Sequence, residues 1–253
     1  ASLKETCEEV MKTQNKLVIV INHPCHNPTG YSLSQQEWDE VIDYLNECGK
    51  KVPVVLLNDI AYIDYSYRGK AARDYIKTFD RISEHVFVVI AFSISKSMTS
   101  YGMRCGAAIL MAQKEESVRE VEIVFEKAAR AIWSNVNNAA MENFVTVVTD
   151  NKAAYEAEKD EYVDLLKERS DIFTSEADAC GLEYYPYKEG FFVTVKIEDN
   201  NVRNAYHKAL MKEHIYTVMV NKGIRVAVCS LPVEKCKGLA ARMKKILDEV
   251  TAA

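Results

Sequence analysis

Three polar stretches of the chain carry the residue types that could do chemistry together. Each follows a short apolar run, and the side chains of interest are Asn27 in NHPCHNPTGY, Asp59 and Tyr62 in NDIAY, and Ser93, Lys96 and Arg104 in SISKSMTSYGMR. In an enclosed cationic cleft a lysine amine loses basicity and can attack an aldehyde. A serine hydroxyl and an arginine suit a phosphate dianion. A carboxylate can hold a protonated ring nitrogen, while a phenol and an amide can bond a ring oxygen.

An aldehyde, a phosphate, a pyridinium and a phenolate are the groups of pyridoxal 5'-phosphate (PLP), so the combined set of side chains predicts this cofactor. Each residue alone has a simpler explanation. These explanations are a turn cap for Asp59, a core aromatic for Tyr62, an exposed cation for Lys96 and half of a surface ion pair for Arg104. The segment NPTG at 27–30 predicts a type I turn whatever its function, because proline presets φ at the second position.

The elements that must position these residues are predicted by hydrophobic patterning. Short runs rich in Val and Ile recur at 17–21, 52–57 and 86–92, and each predicts a strand buried on both faces. Between the first two, the capping box Ser34-Gln35-Gln36-Glu37 begins a helix whose apolar face carries Trp38, Val41, Ile42 and Leu45. Strands joined through a helix indicate a largely parallel sheet, which binds ligands beyond the carboxyl ends of its strands. The polar stretches follow those ends.

The rest of the chain predicts two further groups of elements. The run CGAAILMA at 105–112 predicts another strand, followed by a helix with apolar residues at helical spacing, namely Val118, Val121, Phe125, Ala128 and Ile132. After residue 150 a charged helix at 151–173 precedes FFVTVKIE. The alternation in FFVTVKIE predicts a half-exposed strand with Phe191, Val193, Val195 and Ile197 on one face.

A helix near 201–214, a strand at 224–229 and a C-terminal helix complete the pattern. The change of pattern predicts two domains. Residues 1–150 would form the C-terminal part of a large α/β domain, and residues 151–253 a small α+β domain.

Composition and charge exclude several partners and sites. A net charge of -5 gives no electrostatic reason to bind nucleic acid or an anionic membrane. No apolar run reaches the roughly eighteen residues that a membrane span needs. Seven cysteines without a Cys-x-x-Cys pair indicate a reducing compartment, so we expect a cytoplasmic protein. His23, Cys25 and His26 lack a fourth ligand at ordinary spacing, so we predict no metal site.

Four motifs, in the right order and separation, resemble those of the class I/II aminotransferases of the aspartate and aromatic aminotransferase family. These motifs are CHNPTG, NDIAY, SISKSMTSYGMRCG and GIRVAV, and the resemblance covers nearly the whole chain. It implies a PLP-dependent transferase of fold type I. The expected fold is α/β, with an incomplete large domain built on a mostly parallel sheet and a smaller C-terminal α+β domain.

The resemblance also implies a role for each residue of the set. Lys96 would be the Schiff-base lysine, Asp59 the partner of the pyridinium nitrogen, Tyr62 and Asn27 the donors to the ring oxygen, Ser93 and Arg104 the phosphate ligands, and Arg225 in GIRVAV the clamp for the substrate α-carboxylate. Thr99, Ser100 and Cys105 depart from the residues more usual in the family but keep its spacing.

Family members also carry a further long segment ahead of the NPTG region. We therefore expect this chain to be a fragment that binds PLP weakly or not at all on its own. We expect the intact enzyme to be a homodimer.

The activity implied by the resemblance is transfer of an amino group between an L-amino acid, of aspartate or aromatic type, and a 2-oxo acid. Arg130 in RAIWSN stands where that branch often carries the arginine for a distal carboxylate. An exposed helix arginine is an equally good explanation from the residues alone. Two other functions stay open, a PLP-dependent carbon-sulfur lyase of the same fold and a non-catalytic binding module.

Overall fold

The computed structural model describes residues 2–252, which divide into two compact units. The first unit comprises the residues up to 23 together with 33–63 and 70–155. The second comprises 24–32, 64–69 and the residues from 156 onward. The second unit therefore includes two short segments from the first half of the chain, and each of them comes shortly after a strand of the first unit.

The first unit is built on a four-stranded sheet. Its helices and strands are α1 Leu3–Thr13, β1 Leu17–Asn22, α2 Gln35–Gly49, β2 Val54–Asp59, β3 Val86–Ser93, α3 Ile94–Ser97, β4 Gly106–Met111, α4 Glu115–Ile132 and α5 Asn138–Val148. Segments of 3-10 helix, Ile63–Tyr65, Gly69–Arg81 and Tyr101–Met103, lie between them. The predicted strands and the two helices predicted in this part of the chain are confirmed, whereas α1, α3, α5 and the 3-10 segments were not predicted.

The sheet has the order β1-β2-β3-β4, with β1, β2 and β3 parallel and β4 antiparallel to β3. Leu17 pairs with Val54, and Val54 pairs with Val86, so the parallel strands start level with one another. Their carboxyl ends consequently lie along one edge of the sheet. The prediction of a largely parallel sheet is confirmed.

Helix α2 covers one face of this sheet and begins at the predicted capping box. Ser34 Oγ accepts a hydrogen bond from the Glu37 amide at 3.2 Å, and Glu37 Oε2 accepts one from the Ser34 amide at 2.7 Å. Such an N-cap contributes on the order of 1 kcal/mol to helix stability. The helix buries Trp38, Val41, Ile42, Leu45 and Cys48 in a core shared with Leu17, Ile19, Leu56, Phe79, Val88 and Ile90.

The opposite face of the sheet is open near β1. Val18 is 57% exposed and Val20 is 65% exposed, although Leu17 and Ile19 between them are buried. Prediction of burial on both faces is therefore wrong for β1. Helix α4 buries no residue fully, and Phe125 and Ile132 of its apolar face are exposed, whereas Val118 and Val121 are half-buried.

The second unit combines a three-stranded antiparallel sheet, of order β5-β7-β6, with helices. Its elements are α6 Lys152–Cys180, which begins in the last residues of the first unit, β5 Phe192–Lys196, α7 Asn200–Lys212, β6 Val218–Val220, β7 Gly223–Ala227, α8 Val233–Cys236 and α9 Leu239–Ala252. The predicted elements are present, and β6 and α8 are additional. The core contains Phe173, Val193, Val195, Tyr206, Leu210, Ile224 and Met243.

Strand β5 is buried on both faces, so the prediction of a half-exposed strand is wrong. Thr194 is 1% exposed and Phe192 is 8% exposed, although the alternation places them on the face predicted to be polar. Two long-range contacts cover this face. Thr194 Oγ1 donates to the Pro28 carbonyl at 2.6 Å, and the Arg225 guanidinium lies 4.2 Å from the Phe192 ring centroid.

The NPTG segment does not close as the predicted type I turn. The Gly30 amide donates to the His26 carbonyl at 2.6 Å, a bond that spans one residue more than a β-turn. The Asn27-Pro28 peptide bond is cis, and Gly30 has a φ of +72°. The loop is therefore a five-residue turn that includes His26.

Within residues 2–252, no helix combines the length and the apolar character needed to cross a bilayer. All seven cysteines are free thiols.

Candidate active site

The carboxyl ends of three neighbouring strands bring the first group of site residues to one sheet edge. Strands β1, β2 and β3 end at Asn22, Asp59 and Ser93. Asn22 pairs with Asp59, and Asp59 pairs with Ala91, two residues before Ser93. Because side chains alternate along a strand, Asp59 and Ser93 project from the same face of the sheet.

Lys96 lies in a single helical turn, α3, that begins where β3 ends. Ser93 caps this turn, because its Oγ accepts a hydrogen bond from the Ser95 amide at 3.2 Å. The Met98 amide donates to the Ile94 carbonyl at 3.1 Å, and Tyr155 Oη donates to the Ser97 carbonyl at 2.8 Å. Lys96 is thus held on a short turn whose beginning and end are both hydrogen-bonded.

Two left-handed residues turn the chain back toward Lys96. Thr99 has a φ of +50° and Arg104 a φ of +52°, which is uncommon for residues with a Cβ and strained for a β-branched one. As a result Arg104 Nη1 donates to the Tyr101 carbonyl at 2.8 Å and to Ser95 Oγ at 3.4 Å.

Both cations of this segment lie over the ring of Tyr101. Lys96 Nζ lies 4.9 Å from the ring centroid, and Arg104 Cζ lies 5.0 Å from it. The structure therefore brings together Ser93, Lys96 and Arg104, the three residues that the sequence predicts for the phosphate and the aldehyde. Tyr101 was not predicted to contribute, although it lies within the motif.

Asp59 and Tyr62 follow one another on the next strand end. Asp59 Oδ1 accepts a hydrogen bond from the Ala61 amide at 3.0 Å, which forms a local turn after β2. The Asp59 side chain is only partly buried. Tyr62 is buried. The simple turn-capping explanation of Asp59 is thus correct for one of its two oxygens.

Asn27 and Arg225 belong to the second unit, where they contact each other. Arg225 Nη1 donates to Asn27 Oδ1 at 2.7 Å, across 198 residues of sequence. Arg225 Nε is buried and has no hydrogen-bond partner among residues 2–252. A buried unpaired guanidinium nitrogen is costly, and a carboxylate is the ligand that best satisfies it.

Arg130 lies in the last turn of α4 and is exposed. Its Nη1 donates to Ser134 Oγ at 2.8 Å. This geometry leaves both explanations of Arg130 open.

The histidines near the NPTG loop have local partners. His23 Nδ1 accepts from the Leu33 amide at 3.0 Å, and His26 Nδ1 lies 2.7 Å from Thr29 Oγ1. Burial lowers the pKa of His26. In the part of the chain that the structure describes, no three His, Cys, Asp or Glu side chains are grouped to hold a metal ion.

Comparison with known proteins identifies the family of this chain. A family model described as aminotransferase class I and II matches residues 2–243. The crystal structure of an aminotransferase from Anaerococcus prevotii is 36% identical and has a TM-score of 0.91, over 97% of this chain and 60% of that chain. An aromatic-amino-acid aminotransferase from Burkholderia pseudomallei, covalently bound to pyridoxal phosphate, has a TM-score of 0.72 at 22% identity, over 95% of this chain and 59% of that chain.

Among curated relatives, the mitochondrial aspartate aminotransferase P2 of Lupinus angustifolius is 24% identical over 92% of this chain and 50% of its own length. The chain thus spans about half the length of that relative. Because the family match extends over nearly the whole chain, this chain belongs to the class I and II aminotransferases, with the fold-type-I α/β architecture that its sequence predicts.

Proposed function

We propose that the protein is a PLP-dependent aminotransferase, which moves an amino group between an L-amino acid of aspartate or aromatic type and a 2-oxo acid. The observation that carries the proposal is the grouping of Lys96 and Arg104 around the Tyr101 ring, directly after Ser93 ends β3. The Asp59 carboxylate ends the adjacent strand on the same face.

The donor set of the first unit fits the cofactor. The Ser93 hydroxyl accepts a bond from the Ser95 amide and keeps its own proton for a phosphate oxygen. The Arg104 guanidinium uses Nη1 for its two bonds within the protein, and its other nitrogens can take a phosphate. Asp59 uses one oxygen for the turn and has the other for a ring nitrogen.

When bound, pyridoxal phosphate supplies an electron-withdrawing ring next to the Cα–H bond of the amino acid. The amine of Lys96 would hold the aldehyde carbon and, once the amino acid has displaced it, carry the proton away from Cα. Asp59 would keep the ring nitrogen protonated, because a nearby carboxylate favours the charged pyridinium. Ser93 and Arg104 would bind the phosphate.

The contacts to the ring oxygen and the substrate would come from Asn27, Tyr62, Arg225 and Arg130. The Asn27 amide, oriented by Arg225, would donate to the ring oxygen together with Tyr62. Arg225 would bind the α-carboxylate of the amino acid, which satisfies its unpaired Nε. Arg130 would bind a distal carboxylate, and its exposure makes the guanidinium accessible to one.

The role of Lys96 is tested by trapping. In the full-length protein loaded with PLP, borohydride reduction followed by peptide mapping should place the cofactor on the peptide containing Lys96. Lys96→Ala should lose both the trapped cofactor and transamination, while the exposed control Lys127→Ala should retain both. Trapping on another lysine, or turnover by Lys96→Ala, would refute the assignment.

The substrate class is tested by comparing aspartate with tyrosine as amino donor to 2-oxoglutarate. Arg130→Ala should raise KM for aspartate far more than for tyrosine, because only aspartate carries a distal carboxylate. Equal loss for both donors argues against this role. Release of sulfide and pyruvate from cysteine, without transamination, would indicate the carbon-sulfur lyase instead.

We also propose a homodimer in a reducing compartment, the cytoplasm. The exposed apolar side chains of α4 and the seven free thiols support these two proposals respectively. Light scattering of the full-length protein and fractionation of cells that express it test them. A monomer, or recovery from an oxidising compartment, would contradict them.

A further inference from the structure

The turn 187–190, of sequence YKEG, bonds to the NPTG loop through its backbone. The Gly30 carbonyl accepts hydrogen bonds from the amides of Lys188 at 2.9 Å and Glu189 at 3.0 Å. Lys188 Nζ also donates to the Ser32 carbonyl at 2.8 Å. The NPTG loop is therefore held by the backbone of a segment distant in sequence, in addition to the side chains of Thr194 in β5 and Arg225 in β7.

Two glycines allow this turn and this loop to touch directly. A Cβ on Gly30, at φ +72°, would enter the ring of Tyr187 and lie 2.6 Å from the Phe192 carbonyl oxygen. A Cβ on Gly190, at φ +98°, would lie 2.5 Å from Cys25 Cβ. A side chain at Gly30 would clash with Tyr187, and one at Gly190 would clash with Cys25, so the turn and the loop are in direct contact.

Glu189 connects the same turn to the second short segment, 64–69. Its side chain is 4% exposed, and Oε2 accepts hydrogen bonds from Ser66 Oγ at 2.6 Å and from the Tyr67 amide at 2.9 Å. A nitrogen of Arg68 lies 3.8 Å from Oε1, which has no hydrogen-bond partner among residues 2–252. The buried carboxylate thus depends on donors from a single segment.

The tyrosines of the turn and of segment 64–69 add a second connection. Tyr67 Oη lies 2.8 Å from Tyr187 Oη and 2.9 Å from Ser170 Oγ. Tyr187 donates to the Gly190 carbonyl at 2.9 Å, and Ser170 donates to the Lys167 carbonyl at 2.9 Å. Tyr187 and Ser170 thus use their hydroxyl protons on backbone carbonyls, and the Tyr67 hydroxyl is the donor that remains for the contacts among the three hydroxyls. Burial raises the pKa of Tyr67 to about 12, so these phenols stay neutral.

We propose that Glu189 is a positioning residue that fixes segments 24–32 and 64–69 to each other, and through the first of them fixes Asn27. Its backbone amide holds the loop that carries Asn27, and its carboxylate holds the segment that follows Tyr62 in the chain. Glu189 itself touches neither substrate nor cofactor. The coupling of the two segments stands independently of the activity, whereas its effect on Asn27 and Arg225 in catalysis rests on the proposed function.

The coupling is tested by amide hydrogen exchange in the full-length protein, with no cofactor added. Glu189→Leu removes both carboxylate bonds to segment 64–69, and Ser66→Ala removes the one from the Ser66 hydroxyl. Exchange should rise by about tenfold or more in peptides covering 64–69, where the loss leaves bonds to the carboxylate unmade, and also in those covering 24–32, because Glu189 connects the two segments. Peptides covering 192–196 should be unchanged. Glu189→Gln keeps an acceptor oxygen and should restore most of the protection, and the exposed control Glu183→Leu should change nothing.

Three results would overturn the proposal, namely a rise confined to 64–69, a uniform rise across the second unit and no change in either segment. If Glu189→Leu does not fold, Ser66→Ala alone decides, because its substitution lies in one segment and its readout in the other.

Turnover supplies a readout that a purely structural role would not move. In the loaded enzyme, Glu189→Leu should raise KM for the amino acid several-fold with a smaller change in kcat, because Asn27 orients the carboxylate-binding Arg225. An unchanged KM with accelerated exchange would overturn the link to Asn27. Absence of transamination in the unsubstituted protein would refute the proposed function and leave the exchange result to judge the coupling.

Discussion

Gly30→Ala should destabilise the protein by more than its left-handed backbone alone explains. Gly30 lies between the Tyr187 ring and the Phe192 carbonyl oxygen, and its φ is +72°. Gly238 has nearly the same φ, +76°, but no heavy atom lies within 4 Å of its added Cβ. Gly238→Ala is therefore a matched control that retains the backbone cost and removes the clash.

The expected magnitudes follow from these two environments. A residue with a Cβ in the left-handed region lowers the free energy of unfolding by roughly 1–2 kcal/mol. Replacing glycine also restricts the unfolded chain, which raises the free energy of unfolding by about 0.4–1 kcal/mol. Gly238→Ala should therefore lower the free energy of unfolding by about 1 kcal/mol. Overpacking adds typically about 1–3 kcal/mol, which gives Gly30→Ala a total loss of about 2–4 kcal/mol.

Urea unfolding of the full-length protein, followed by far-UV circular dichroism, measures both variants against the unsubstituted protein. The reasoning predicts a gap of at least about 1 kcal/mol between the two alanine variants. Equal losses would refute it, because they would show that Gly30 is required for its φ and not for the contact with residues 187–192.

Three further predictions concern residues near the strand ends. Thr99→Gly should raise the free energy of unfolding by up to about 1 kcal/mol because it relieves the strain at φ +50°, whereas Thr99→Ala, which keeps a Cβ, should gain little. Urea titration compares the two variants, and a lower free energy of unfolding in the glycine variant would show that Thr99 is not strained. Burial lowers the pKa of His26 below its ordinary 6.5, so the unfolded chain binds the proton first as the pH falls, and the histidine's contribution to stability should decrease as the pH is lowered through 6.5. Urea titrations at several pH values should show this decrease in the free energy of unfolding in the unsubstituted protein and not in His26→Gln. Equal pH dependence in the two proteins would refute the prediction. Tyr101→Leu should weaken PLP affinity up to about fivefold in equilibrium dialysis, since cation–π contacts contribute about 0.5–1 kcal/mol, while Tyr101→Trp should retain the affinity. Weaker binding in both variants would show that the aromatic ring face does not determine the affinity.

Local patterns were sufficient to predict the frame of the first unit. The Val and Ile runs before Asn22, Asp59 and Ser93 became three level parallel strands. The capping box at Ser34 began α2 where predicted, because its two hydrogen bonds join residues three apart. These features depend on neighbours along the chain, and the sequence shows such neighbours directly.

The same patterns failed where burial depends on distant residues. The alternation of FFVTVKIE predicts one exposed face, yet Pro28 and Arg225 cover that face of β5. Conversely, α4 carries apolar residues at helical spacing, yet the described structure buries none of them fully. Periodicity shows which side chains share a face, but it does not show what lies against that face.

The sequence by itself determined the succession of strands along the chain, the spacing of Ser93, Lys96 and Arg104, and membership in a family whose motifs it carries. Only the tertiary structure decided that segments 24–32 and 64–69 belong with the C-terminal half, and that Glu189 connects them. The physical reason is that a buried carboxylate bonds to the donors that lie near it in space, whatever their distance along the chain. Ser66 lies 123 residues from Glu189 along the chain, a separation over which neither periodicity nor turn chemistry carries information.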